Sequence, residues 1–390
     1  MLEKSGKYTR FGKVFICSVL VLWCGILGFA QTADSTPNYF TFSSFEYVAQ
    51  LKSGWNLGNT LDSYGIPGLA AETYWGSPKA TAELFAEIKK AGFSTVRIPV
   101  SWHDHVNAEY EIEAEWMNRV KNVVDMALDQ NLFVILNCHH DCGFFGDAGY
   151  SVKTFDIEKS EKYLTSIWQQ IAATFAAYDG RLSFELLNEP RLVGESFEWE
   201  WNISSQPLIE AARTINELSQ CCLDAIRQSG QNNALRFVLV TSYVASPYAA
   251  ASTVFALPAD TAKDKLILST HVYAPYRFAM DPKGIKSFGV NERMEIEALM
   301  DTLKNGVIDR FNVPVVITEF GAVNKNNLND RCKWLECFLA NARNYGIATV
   351  VWDNGNAYSK NGSSEELFGL LDRNKLKWHF NKYTKIMTAQ

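Results

Sequence analysis

The chain has 390 residues, of which 47% are hydrophobic and 13% aromatic, and its formal net charge is -6. That length holds either two average domains or one large α/β barrel. The acidic excess is spread without blocks of like charge, which gives no reason to expect nucleic acid or an anionic membrane as a partner.

In chain order, the first segment reads as a targeting signal. MLEKSGKYTRFGK supplies Lys4, Lys7, Arg10 and Lys13, VFICSVLVLWCGILGFA follows as an apolar run, and small residues stand at Gly28 and Ala30. A basic start, a short apolar stretch and small residues before a cut describe a secretory signal, here 1–30, with a polar linker over 31–39. An uncleaved anchor is the alternative, because the run approaches the ~20 residues needed to span a bilayer. Cys24 suggests lipidation, but the bulky Trp23 precedes it where small residues are wanted. The expected product is secreted or periplasmic, with cell-surface attachment as a variant, and has no membrane contact after cleavage.

From residue 40 to 390 the pattern is one of alternating element types. Short β-rich runs fall at 54–60, 95–100, 132–140, 182–189, 237–243, 266–273, 315–321 and 349–354. Amphipathic helical stretches separate most of them, for instance 81–92, 113–130 and 331–346. Continuous apolar runs between helices suit strands of a parallel sheet covered on both faces. Eight such units predict an α/β fold, a single (β/α)8 TIM barrel. A doubly wound open sheet is weaker, since no glycine-rich phosphate loop follows the first run.

A barrel of this kind should collect polar chemistry at the C-terminal ends of its strands. Asn56 and Asn59 close the first run, Arg97 and Trp102 the second, His139 and His140 the third, and Asn188 and Glu189 the fourth. His271 and Tyr273 close the sixth, Glu319 the seventh and Trp352 the eighth. Five of the six histidines, all but His379, lie in or just after these ends.

The stretch VILNCHHDC (134–142) raises the question of zinc, because His and Cys at close spacing are its usual ligands. Adjacent residues on a strand point to opposite faces, so Cys138 and His139 do not easily share an ion. Cys138 reads as a small buried hydrophobe, as do Cys221 and Cys222 in their helical pattern. A chain this large needs no disulfide scaffold, and no pairing is assigned. SWHDHV (101–106) has a His-x-His, which a metal-dependent amidohydrolase barrel would place after its first strand rather than its second. His103 is left as a residue able to touch substrate.

The carboxylates Glu189 and Glu319 each emerge from a buried strand, and the ends of the fourth and seventh strands face each other across a barrel mouth. Glycoside hydrolysis uses such a pair, one as acid for the leaving oxygen and one ionised on the other face of the sugar. The 11 tryptophans agree with this, since their rings stack on the apolar faces of sugars. Arg97 is expected to hold a carboxylate ionised, lowering Glu319, while apolar burial raises Glu189.

WNLGNTLD (55–62), ETYWGSP (72–78), TVRIPVSW (95–102), NCHHD (137–141), LLNEP (186–190), HVYAPY (271–276), TEFGAVNKNN (318–327), WDNG (352–355) and FGLLDRN (368–374) occur in collinear order. Together they resemble glycoside hydrolase family 5, the last segments most of all its subfamily 4 of endo-β-1,4-glucanases and xyloglucanases. The resemblance covers the chain from about residue 40 onward. It implies a retaining double displacement with Glu319 as nucleophile and Glu189 as proton donor and then base. It also implies that Arg97 orients the nucleophile, that His139, Asn188, His271 and Tyr273 line the site of the cleaved sugar, and that Trp352 forms the platform beneath it. Asn59, Trp102, His140 and Asn354 are carried over as further cleft residues. Thr318 stands where glycine is commoner, and Ser77 where asparagine is.

The expected substrate is a cellulose-like β-glucan, cut internally by a monomer that needs no cofactor and no metal. Xyloglucan, mixed-linkage β-glucan or β-mannan are alternatives for the same mechanism, and a non-catalytic glycan-binding barrel is the alternative from another class. Trp199 and Trp201, in the loop 194–206, are expected either to shape leaving-side subsites or to cover the barrel helices.

Overall fold

The computed structural model describes residues 37–359 and 366–389, so the expected signal and most of the linker lie outside the described residues. The compact unit begins at Asn38. The Tyr39 ring packs edge-on against Phe133 with centroids 5.0 Å apart. Tyr39, the last residue of the expected linker, is thus already half-buried against the barrel.

Eight parallel strands close into a barrel in chain order. They are β1 (Ser53–Asn56), β2 (Thr95–Ile98), β3 (Phe133–Asn137), β4 (Leu182–Glu185), β5 (Val238–Val240), β6 (Leu266–Val272), β7 (Val315–Phe320) and β8 (Ala348–Val351). Each expected β run overlaps one of them; Asn56, His271 and Glu319 lie in the last residues of their strands, while His139, Asn188 and Trp352 follow theirs. The expected helices are Ala82–Ala91, Ala114–Asp129 and Leu328–Asn344. The first shows why such segments fold as they do. The Thr81 side chain caps its N-terminus by accepting the Leu84 N–H, Gly92 ends it at φ 105°, and Leu84, Phe85 and Ile88 form the buried face. Among the described residues no helix is long and apolar enough to cross a membrane.

The outer strand faces, such as Val96, Ile98, Val134, Leu136 and Phe184, pack with the helices in one large core. Inside the barrel a second cluster joins Ile135, Leu239, Ile267, Val316 and Val350 to Tyr47, Val48 and Leu51 of the helix Ser44–Leu51, which plugs the N-terminal end. Side chains alternate along a strand, so the next inward position lies two residues on. There the interior turns polar: Ile135 gives way to Asn137, Ile267 to Ser269, Val316 to Thr318, and Arg97 and Glu185 lie at the same level, all wholly buried. An apolar floor thus carries a polar layer.

Strand β7 departs from this register. Thr270 of β6 pairs with Ile317 and His271 with Glu319, so β7 carries one extra residue there. Its pairing with β8 shifts as well, Thr349 opposite Ile317 and Val351 opposite Phe320. Such a β-bulge re-aims a side chain. As a result, Thr318 and Glu319, neighbours in sequence, both make contacts inside the barrel. Asn56 Nδ2 donates to the Thr318 carbonyl (2.8 Å) at this bulge.

Candidate active site

Arg97 is the centre of the polar layer and is wholly buried. Its Nη1 donates to Glu319 Oε1 (2.7 Å) and Asn56 Oδ1 (3.0 Å), its Nη2 to Asn188 Oδ1 (2.7 Å), and its Nε to Glu185 Oε2 (2.7 Å). Tyr273 donates its hydroxyl to the other oxygen of Glu319 at 2.9 Å. His271 Nδ1 lies 2.8 Å from Glu189 Oε1 and 3.6 Å from Glu319 Oε2. One oxygen of Glu189 and one of Glu319 lie within 4.8 Å of each other. Glu189 keeps 21% of its side chain exposed against 7% for Glu319. The first therefore faces the mouth, and the second is sunk in the wall.

The charges run opposite to the expectation. Burial pushes Glu189 up, but the hydrogen bond from His271, the His271 charge and Arg191 outweigh it and hold the carboxyl below its usual range. Burial also pushes Glu319 up. His271 and Arg97 oppose that and Glu189 adds to it, leaving Glu319 raised. Burial alone would lower His271, yet Glu319 and Glu189 raise it above an ordinary imidazole. The expectation paired Arg97 with Glu319 alone and put no donor on Glu189, whereas His271 reaches both carboxylates from β6. The two carboxyls titrate as a pair.

His139 is buried, and its ring lies parallel to that of Trp352 with centroids 5.9 Å apart. Its Nε2 is 4.0 Å from Glu319 Oε1. His140 is half-buried, with Nε2 4.0 Å from Asp62 Oδ2, and its ring meets those of Tyr64 and Trp75. Asn59 is half-buried in the loop after β1, at φ 56°, and its N–H donates to Asp62. Arg97, His139, Asn188, Glu189, His271, Tyr273 and Glu319 thus converge, with Trp352 behind His139.

Two expected cleft residues are corrected. Trp102 is wholly buried and spends its indole N–H on the Asn137 carbonyl at 3.1 Å, so it supports the cleft from below. Asn354 ties Nδ2 to the Glu366 carbonyl and Oδ1 to the Asn356 N–H, and it lines a side pocket of about 340 Å³ with Trp75 and Arg373. Its polar groups brace the loop instead of facing the carboxylates. His103 is buried, stacked on Phe145 at 3.7 Å.

Burial lowers His139 well below an ordinary imidazole and His140 to about 4, so both are neutral. Neutral imidazoles reopen the question of zinc. Among the described residues two groups bring three possible ligands within 4.8 Å, Asp62–His139–His140 and Glu189–His271–Glu319. Cys138 and Cys142 belong to neither. In the first group the tautomer decides. Asn137 Oδ1 accepts from the Val100 N–H, so its Nδ2 is the end that faces Glu185 and His139 Nδ1. His139 Nδ1 is then an acceptor and the ring proton sits on Nε2, which offers no lone pair to an ion. In the second group His271 Nδ1 is spent on Glu189. Neither donor set fits zinc.

Residues missed in the sequence are Glu185, Asn137 and Ser269, all wholly buried under the site. A charged residue inside the apolar run LSFELL was the available signal for Glu185.

A parallel barrel with two carboxylates across its C-terminal mouth defines a hydrolase of the barrel glycosidase class. The family model for cellulase (glycosyl hydrolase family 5) matches residues 58–358. The chain belongs to glycoside hydrolase family 5. It is 40% identical over 356 residues to Endoglucanase B of Ruminococcus albus, covering 90% of this chain and 82% of that one. Among solved structures it is similar to the glycoside hydrolase 5 lichenase of Caldicellulosiruptor sp. F32 in complex with cellotetraose, with a TM-score of 0.84, 37% identity, and 89% and 95% of the two chains covered. A GH5-4 broad specificity endoglucanase from Ruminococcus champanellensis with bound cellotriose gives a TM-score of 0.82 and 36% identity over 89% and 98%.

Proposed function

We propose that the protein is a retaining endo-β-1,4-glucanase in which Glu319 is the nucleophile and Glu189 the proton donor and then the base. The observation that carries this reading is the approach of the two carboxylates to within 4.8 Å between oxygens. Retaining enzymes need about 5 to 5.5 Å between carboxyl groups, and inverting ones about 6.5 to 9.5 Å to admit a water. In the first step Glu319 attacks the anomeric carbon while Glu189 protonates the departing glycosidic oxygen. In the second step Glu189 takes a proton from water as that water displaces Glu319.

Chemistry needs one proton on the pair, on Glu189. A glycosidic oxygen seated against Glu189 excludes water from it, which favours its neutral form. Arg97 and Tyr273 hold the Glu319 charge from the far side. Asn188 and His139 remain to bind sugar hydroxyls, and Trp352 offers its ring. Trp199 is the candidate leaving-side platform: it is 56% exposed, with the Arg191 guanidinium 4.0 Å over its ring, and Arg191 donates to the Glu189 carbonyl. Trp201 packs on the core beside Tyr243, which supports the covering role.

The test is reducing-end release from carboxymethyl-cellulose, mixed-linkage glucan, xyloglucan and mannan with a chelator present, and proton NMR of the first product. Cleavage of the glucans with the β-anomer appearing first is expected; an α-anomer first would overturn the retaining assignment. The neighbours' lichenase and broad-specificity descriptions support activity on mixed-linkage glucan beside cellulose. The reading includes export of a barrel that works as a single chain, checked by N-terminal mass spectrometry of the secreted product and by sedimentation.

A further inference from the structure

Glu185 ends β4 with no solvent exposure, one layer below the reacting groups and out of reach of substrate. It accepts from Arg97 Nε (2.7 Å), from Asn137 Nδ2 (2.9 Å) and from Ser269 Oγ (2.5 Å). Each donor leads back to the active site. Arg97 also holds Glu319 and Asn188. Asn137 fixes the His139 tautomer from 3.0 Å. Ser269 Oγ lies 2.6 Å from Thr318 Oγ1, the residue before Glu319. Arg97 has one positive charge and two buried carboxylates on it, at the same distance of 2.7 Å.

We propose that Glu185 is a positioning residue that shares Arg97 with Glu319 and so sets how much of the guanidinium charge the nucleophile feels. A nucleophile alone with a buried arginine would be locked into an ion pair, since removing solvent strengthens their attraction. It would then be slow to attack the sugar. A second carboxylate on the far side of the guanidinium divides that attraction while keeping the geometry. Glu319 is faced by Arg97 from β2, His139 from β3, Glu189 beyond β4, His271 and Tyr273 from β6 and Glu366 from the loop after β8. Glu185 faces Arg97 as its charged partner and Asn137 and Ser269 as neutral ones.

The inference rests on Glu319 being the nucleophile, so its test has a readout that needs no turnover. In the full chain, carboxyl 13C NMR follows the Glu319 titration, assigned by its loss in Glu319→Gln, beside the pH profile of kcat/KM. Glu185→Gln keeps the shape and removes the charge. Its expected effect is a Glu319 titration lower by about one pH unit, the size of a partner-charge effect. The alkaline limb of kcat/KM should move down with it, at unchanged KM. Ser269→Ala strips one donor from Glu185, draws Arg97 toward it and should move both readouts up. A brace without electrostatic effect would lower kcat/KM at every pH and leave the titration and the limb in place, which would overturn the proposal. If Glu185→Gln does not fold, Ser269→Ala decides alone: an upward shift supports the sharing, and no shift overturns it. If substrate is not cleaved but the NMR shifts hold, the functional reading fails and the sharing of Arg97 stands.

Discussion

Glu189 and Glu319 are the same residue type in different surroundings, one half-open beside an imidazole and one sunk against a guanidinium and a phenol. Replacing Glu189 by Gln removes the acid and base, and kcat on unactivated glucan should fall by about 10² to 10⁴-fold. An unchanged kcat would dismiss the role. His271 holds Glu189 below its usual range, so activity is lost only as pH falls through that lowered value. In His271→Gln the imidazolium charge is gone, the Glu189 carboxyl rises, and the acidic limb should move to higher pH by about one unit. A limb that stays put would show that His271 does not set it. These charges were not legible in the sequence, because both depend on His271, which is 82 residues from Glu189 and 48 from Glu319.

At the level of elements, the bulge in β7 is what aims Glu319 inward while Thr318 still reaches Ser269. Asn56 supports it by three bonds to carbonyls of Thr318, Val350 and Val351 and by accepting from Arg97. Asn56→Ala removes those bonds from a buried layer and should destabilise the fold by about 1–3 kcal/mol, read as a lower denaturant midpoint at unchanged slope. The turn after β1 has a similar constraint. A Cβ on Gly58 would stand 2.8 Å from the Trp352 ring and 2.9 Å from the Asp353 carbonyl. Gly58→Ala must displace the platform and should cost on the order of tenfold in kcat/KM, more than a stability change alone explains. The strands themselves were legible, since an apolar run ending in polar residues fits a buried parallel strand. The bulge was not, because register is a relation between β7 and its neighbours, which a single run cannot express.

Across the whole molecule, the plug helix Ser44–Leu51 closes the barrel floor through Tyr47, Val48 and Leu51, and Lys265 reaches the carbonyls of Phe40 and Phe42. Three buried side chains at about 1.5–3 kcal/mol each approach the full stability of a typical domain. A chain starting at Asn38 should fold, and one starting at Ser53 should not show a cooperative melt. The six described cysteines are all free, and burial pushes the thiols of Cys138 and Cys222 well above their usual range. A reductant should therefore leave the melting temperature unchanged; a marked drop would reveal a bridge.

Periodicity, polar strand ends and nine motifs in order determined the barrel, the family and the two carboxylates, because each is written locally, within a strand or a turn. Trp102 and Asn354 were misplaced at that level, since the same local text serves a side chain that faces the cleft and one that supports it. Tertiary structure alone decided which carboxyl holds its charge, which nitrogen of His139 carries the proton, and that Arg97 answers to Glu185 as well as Glu319. Those are properties of charges and hydrogen bonds meeting inside a closed barrel, between strands up to 222 residues apart, where burial makes each contact count.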